Sequence, residues 1–114
     1  MQQFDVLAIG TANRDVYLTS PLFKVLKDPE HLQKLVFIEG EAQCFALGSK
    51  IYVDKPLFLT GGGAANTAVT FARQGFKTAA AISIGADANG AAIAEDLKKE
   101  RVTALTSVNK KDPT

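Results

Sequence analysis

The chain has one cysteine, Cys44, one histidine, His31, one methionine and no tryptophan among its 114 residues. A lone cysteine excludes an internal disulfide. Cys44 and His31 together fall far short of the four ligands of a structural zinc site. The lack of a disulfide framework fits a reducing compartment. Neither charge sign is in surplus: 13 Lys and Arg stand against 12 Asp and Glu, a formal charge of +1. No basic excess is available to neutralise a phosphate backbone, which argues against a nucleic-acid partner. Long apolar runs are missing as well. A membrane-spanning helix needs about 18 consecutive apolar residues, and the most apolar stretch, Thr78 to Ala88, is interrupted by Ser83, Gly85 and Asp87. The start, Met-Gln-Gln-Phe-Asp, has neither the basic segment nor the apolar segment of a secretory signal. These absences predict a cytoplasmic protein with no membrane partner. What remains is ordinary globular composition, 46% hydrophobic and 22% charged, with no repeat and no low-complexity tract.

This length accommodates one core. Phe4 to Gly10 is a nearly continuous apolar run closed by glycine, the pattern of a strand covered on both faces in a parallel sheet. Asp15 to Thr19 alternates and predicts a half-exposed strand. From Gly61 the pattern becomes helical: Ala65, Ala68, Val69 and Ala72 share one face, Arg73 suits the last turn, and Gly75 supplies a left-handed stop. Thr78 to Ile84 predicts a strand. A helix from Gly90 to about Arg101 follows, capped by Asp87 or Asn89, with Ile93 and Leu97 inward and Glu95 facing Lys99. Val102 to Val108 predicts a third core strand, giving a parallel, right-handed βαβ unit.

Ser20 to Thr60 is the least regular stretch. Asp28-Pro29 opens a short helix to about Val36. Ala42 to Leu47 and Lys50 to Val53 predict a hairpin around Gly48-Ser49, and Leu57 to Thr60 a further strand. The region reads as a small antiparallel appendage. The C-terminus stops within a turn signal, Asn109 to Thr114, directly after an apolar run, so a longer parent chain is expected.

Three places carry chemistry. In an extended segment Asn13 and Asp15 project to one side. A carboxylate that accepts from two neighbouring hydroxyls, beside an amide that donates and accepts, suits a polyol or ribose; an ordinary polar turn is the alternative. Gly61-Gly62-Gly63 before a helix removes every Cβ from the approach to its N-terminus, so a ligand can reach backbone N–H groups. Asn66, one turn on, stacks its amide over that loop; a flexible linker is the alternative. Gly85 to Gly90 lies at the carboxyl end of a strand, where ligands gather in open α/β sheets, although a plain strand–helix connection capped by Asp87 is the favoured reading. A Rossmann-type nucleotide fingerprint fits poorly: the glycines follow the appendage rather than a core strand, and no acid stands about 20 residues on. No G-x-x-x-x-G-K-[ST] occurs.

Taken in order, these residues resemble the N-terminal portion of the ribokinase-like (PfkB) carbohydrate and nucleoside kinase family. Val6 to Asp15 resembles its first strand and substrate-gripping acid. Gly61-Gly62-Gly63-Ala64-Ala65-Asn66-Thr67-Ala68, followed by Ala72-Arg73-Gln74-Gly75, resembles its first signature. Ile84 to Gly90 resembles its strand-end loop, with Ala86 where the first of two acids is common.

The resemblance implies an α/β fold with a parallel sheet core, helices on both faces and a small β lid. Residues 1–19 and 61–114 would form the core, and residues 20–60 the lid. It implies that Asp15 accepts from sugar hydroxyls and that Asn13, Gly62, Gly63 and Asn66 complete the cradle, within an enzyme that moves the γ-phosphoryl of ATP to a sugar hydroxyl with Mg2+. The family's Gly-Ala-Gly-Asp segment, which carries the base and anion hole, and its magnesium-linked Asn-x-x-Glu motif are absent from Met1 to Thr114. No catalytic or metal residue is therefore expected here, and ATP and Mg2+ would be held mainly elsewhere. Phe45, Leu47, Ile51 and Val53 are compatible with a homodimer through the lid. A non-catalytic polyol- or ribosyl-binding module, or pseudoenzyme, is the competing reading.

Overall fold

The computed structural model describes residues 3–114. In chain order the strands are β1 (Val6–Gly10), β2 (Asn13–Tyr17), β3 (Val25–Lys27), β4 (Glu41–Gln43), β5 (Leu57–Gly61), β6 (Thr78–Gly85) and β7 (Thr103–Asn109). The helices are α1 (Pro29–Leu32), α2 (Gly63–Arg73) and α3 (Ala88–Lys99). The chain divides into two compact units, Met1–Val16 with Phe58–Thr114, and Tyr17–Leu57.

The larger unit is built on a parallel sheet of order β1-β6-β7. Ala8 lies beside Ala80, which lies beside Ala104. In register these three present one face, and on it gather Ala64, Ala65 and Ala68 of α2 with Ile93 and Leu97 of α3. The alanines let α2 approach the sheet closely, while Ile93 and Leu97, at 0% and 1% exposure, fill the space at α3. The expected βαβ order β6-α3-β7 is present and parallel.

Both helices lie on that one face. The opposite face carries Leu7, Ile9 and Leu105, exposed by 51%, 76% and 46%. The apolar run of β1 is therefore covered on one side by these elements rather than on both. The α/β class is as read; among the described residues the second helical layer is absent.

Caps explain the helix limits. Asp87 accepts from the Gly90 N–H at 2.8 Å and starts α3. Gly75 ends α2 at φ +96°, where a Cβ is disfavoured. Glu95 does not pair with Lys99; Lys99 lies 3.5 Å from Asp96 instead, one residue nearer. Arg73 closes α2 onto α3 through a two-pronged contact with Glu100 at 2.8 and 2.5 Å.

The smaller unit departs more from expectation. Asp28 caps α1 by accepting from the His31 N–H at 3.2 Å, with Pro29 at its start. The helix lasts one turn, passes into a 3-10 turn over Gln33–Leu35, and ends where Val36 turns left-handed at φ +73°. β4 covers only Glu41–Gln43 and pairs antiparallel with β3, not with Lys50–Val53, which forms no strand. Gly48-Ser49 does turn, Ser49 N–H donating to Ala46 O at 3.0 Å, but no ladder flanks it. Cys44 is free and exposed. No helix among the described residues is long and apolar enough to cross a membrane.

Candidate functional site

β1 ends at Gly10, and the chain turns through Thr11-Ala12 into β2, which pairs with β5. The turn sits over the start of α2. Thr11 Oγ1 accepts from the Gly63 N–H at 3.2 Å, and Thr11 O accepts from the Ala64 N–H at 3.1 Å. The opening N–H groups of α2 are thus taken up by Thr11. The expectation that a ligand reaches them is corrected: Thr11, which the sequence reading passed over, already satisfies the helix end.

The glycines have a steric role. A Cβ on Gly62 would lie 2.5 Å from Thr11 O, 2.7 Å from Ala12 Cα and 2.7 Å from Asn13 Oδ1. Gly62 also adopts φ +98° and ψ 151°, a region in effect open only to glycine. A Cβ on Gly61 would lie 2.5 Å from Asp15 Oδ2 and 3.4 Å from Asn13 Nδ2. Asn13 and Asp15 therefore lie directly against the Gly61-Gly62 backbone, and they are joined to each other, Asn13 Nδ2 donating to Asp15 Oδ1 at 2.6 Å. Alternation along β2 puts both on one side, as the spacing predicts. At Gly63 the space is open, the nearest neighbour of an added Cβ being Thr11 Oγ1 at 3.9 Å.

Asn66 is placed differently. Its backbone N–H donates to Gly62 O at 2.9 Å, within the first turn of α2. The residue is exposed and lines a cavity of about 570 Å3 together with Arg14, Thr60, Thr70, Asp96 and Glu100. Among the described residues no hydrogen bond joins Asn66 to Asn13 or Asp15. The structure thus brings Asn13, Asp15, Gly61 and Gly62 together, and sets Asn66 on the cavity that Arg14 also faces.

That cavity contains a group the sequence reading missed. Arg14 Nη1 donates to Asp96 Oδ2 at 2.5 Å and to Thr60 Oγ1 at 3.1 Å, and Thr60 Oγ1 donates to Asp96 Oδ2 at 2.7 Å. The Thr60 hydroxyl, and then the Arg14 guanidinium, hold the Asp96 carboxyl below the usual carboxylate range, against the opposing effect of its partial burial. Asp96 lies 82 residues from Arg14. The one available signal was Asp96 directly beside the core residue Leu97 on α3.

The Gly85–Gly90 loop takes its plainer reading. Asp87 accepts from Gly90 N–H, Thr114 N–H and Thr114 Oγ1, and these bonds hold its carboxyl low. Among the described residues no three His, Cys, Asp or Glu side chains gather into a cation site. No metal role is assigned to them.

The family model of the pfkB family carbohydrate kinases matches residues 3–114. No protein of curated function matches the sequence. Solved structures do. A carbohydrate kinase from Agrobacterium tumefaciens superposes with a TM-score of 0.66 at 19% identity, over 96% of this chain and 28% of its own. Fructokinase from Halothermothrix orenii gives 0.58 at 22% identity, over 96% and 31%. Adenosine kinase from Schistosoma mansoni, solved with adenosine, gives 0.56 at 17% identity, over 93% and 32%. At these identities the likeness is one of fold, and the chain spans less than a third of each relative's length. With the match over residues 3–114 and the shared ribokinase-like fold, the chain belongs to the pfkB family of carbohydrate kinases.

Proposed function

We propose that this chain is the N-terminal, sugar-binding portion of a kinase that transfers the γ-phosphoryl of ATP to a hydroxyl of a sugar or nucleoside. The observation that carries the reading is the packing of Asn13 and Asp15 against the side-chain-free backbone of Gly61 and Gly62. Asp15 offers carboxylate oxygens to paired hydroxyls, and Asn13 offers an amide that both donates and accepts. Gly62 and Gly63 keep the floor of the cradle free of side chains. Asn66 lines the neighbouring cavity from the first turn of α2, and its membership of the cradle is what its substitution tests. The described residues supply no phosphate loop and no base, so the reading assigns ATP, Mg2+ and the proton-accepting group to the remainder of the fold. When bound, Mg2+ would neutralise phosphate charge; this chain's part is to bind and orient the acceptor hydroxyl.

The test is a substitution series in the full-length polypeptide that carries residues 1–114, assayed with ATP against D-ribose, D-fructose and adenosine. Asp15→Asn is expected to raise KM for the preferred acceptor by about tenfold or more while KM for ATP stays unchanged. Equal loss for both substrates, or no loss, overturns the assignment. Asn66→Ala sharpens it: a raised acceptor KM places Asn66 in the cradle, and an unchanged KM leaves it to the neighbouring cavity. A downstream Gly-Ala-Gly-Asp segment in the same reading frame favours the kinase. A stop codon after Thr114 favours a binding remnant. A lid-mediated homodimer belongs to the same proposal; of its candidate contacts Phe45, Leu47, Ile51 and Val53, Leu47 is the most exposed at 104%, and sedimentation at several concentrations tests it.

A further inference from the structure

The network of Arg14, Thr60 and Asp96 lies on the side of the β2–β5 ribbon opposite the Asn13–Asp15 pair. Each ribbon residue in it is the chain neighbour of a site residue: Arg14 stands between Asn13 and Asp15, and Thr60 precedes Gly61. The third member, Asp96, sits on α3 one residue before Leu97, which is fully packed in the core. The Arg14 side chain is only 16% exposed although it bears a full charge. Its guanidinium has two acceptors on two different elements. The Thr60 hydroxyl is used both ways, accepting from Arg14 and donating to Asp96. A network of this closure fixes the rotation of both strands about their axes, because turning either strand breaks two of its three bonds.

We infer that Arg14, Thr60 and Asp96 form a clamp that positions Asp15 and Asn13 for the acceptor sugar, anchoring their strand to α3 from its far side. The inference rests on the sugar-site reading above and extends it to residues that need not touch the sugar. The rotation of β2 sets where the Asp15 carboxylate points. The rotation of β5 sets how closely Gly61 approaches it; a Cβ added at Gly61 would lie 2.5 Å from Asp15 Oδ2. Without the clamp, the pair remains hydrogen-bonded to itself but loses its fixed position over the glycines. Arg14 is thus a positioning residue; both of its bonds leave from Nη1, so the ammonium of lysine, which also carries several donors but on a shorter side chain, replaces it in part.

The experiment uses the same full-length polypeptide and the acceptor chosen by the panel above, with KM for acceptor, KM for ATP and kcat measured separately. Arg14→Met is expected to raise acceptor KM about tenfold to a hundredfold, as a small displacement of a binding group does, while KM for ATP stays fixed. Arg14→Lys should recover part of that loss. Thr60→Val, which keeps the shape of the side chain, should show the same pattern more weakly, and it carries the test if Arg14→Met does not fold. Arg14→Met combined with Asp96→Asn should cost no more than the worse single change, since both break one network. A purely structural role would lower the active fraction, so that kcat falls with both KM values unchanged; that result overturns the inference, as does full additivity. Asp15→Asn is the control. If it raises acceptor KM and the clamp variants do not, the clamp fails and the sugar site stands. If Asp15→Asn has no effect, the sugar site itself has failed.

Discussion

The two units of this chain are held together by different means. In the larger one, eight-residue β6 is flanked by two parallel partners, and short side chains from α2 meet short side chains from the sheet. Ala65, Ala68, Ala79, Ala80, Ile93 and Leu97 are all buried to 1% exposure or less. In the smaller unit, two three-residue strands and a single helical turn are organised around Leu32 and Ala42, at 6% and 8% exposure. Val25, Leu26, Leu35, Val36 and Ile38 remain exposed there. Burial in the larger unit depends on contacts distant in sequence. The smaller unit depends on local devices: the Asp28 cap, Pro29, and a β3–β4 ladder three residues long. Units with few buried apolar contacts open first. The smaller unit is therefore expected to open before the larger one.

The largest effect is expected at Gly62, where an added Cβ strikes backbone at 2.5 Å on a conformation other residues avoid. Gly62→Ala should cost about 3 kcal/mol or more, combining strain with displacement of the Thr11 turn, as read by urea unfolding. Gly61→Ala meets the side chains of Asp15 and Asn13 rather than backbone, so its unfolding midpoint should move little while acceptor binding falls. If the two substitutions prove equally destabilising, the glycines serve the fold alone.

Core deletion comes next. Ile93→Ala and Leu97→Ala should each cost about 2–5 kcal/mol and lower protection across the whole larger unit. Leu32→Ala should strip hydrogen-exchange protection from residues 29–43 and leave β6 untouched. Loss of protection in β6 as well would show that the two units unfold as one.

Acid dependence separates the units further. The carboxyls of Asp96 and Asp87 lie below their usual range, Asp96 chiefly through the Thr60 hydroxyl and Asp87 chiefly through the Gly90 N–H. A depressed carboxyl contributes stability that is complete above its unfolded value, about 4. That contribution is lost as pH falls through the lowered folded value. The larger unit should therefore weaken as pH falls below about 4, and Asp96→Asn should flatten that dependence. An unchanged profile in Asp96→Asn would remove Asp96 from the stabilising groups.

The smallest effect is expected in the smaller unit. Val36 is 90% exposed at φ +73°, so its side chain contributes little packing and its backbone is strained. Val36→Gly should stabilise residues 29–43 slightly, by about 1 kcal/mol at most. A loss of stability would mean that the Val36 side chain contributes packing after all.

Where sequence patterns repeat over several turns or strand pairs, they were legible. The faces of α2 and α3, the strands β6 and β7, and the Asp87 and Asp28 caps all follow from spacing and from the chemistry of single residues. The pairing of Asn13 with Asp15 followed from the period of two in a strand. The hairpin at Gly48-Ser49 failed because a turn signal fixes a bend but not its ladder, and β4 found its partner in Val25–Lys27. The two-sided burial of β1 failed because an apolar run does not say which layers are present to cover it.

The sequence by itself determined the α/β order, the family and the residue types of the candidate cradle, because these rest on period, capping and local chemistry along the chain. Tertiary structure alone decided that Thr11 takes the helix N–H groups, that Asn66 faces the cavity beside Arg14, and that Arg14 meets Asp96 across 82 residues. Those outcomes depend on which side of a strand meets which helix, a relation between distant segments that only packing sets.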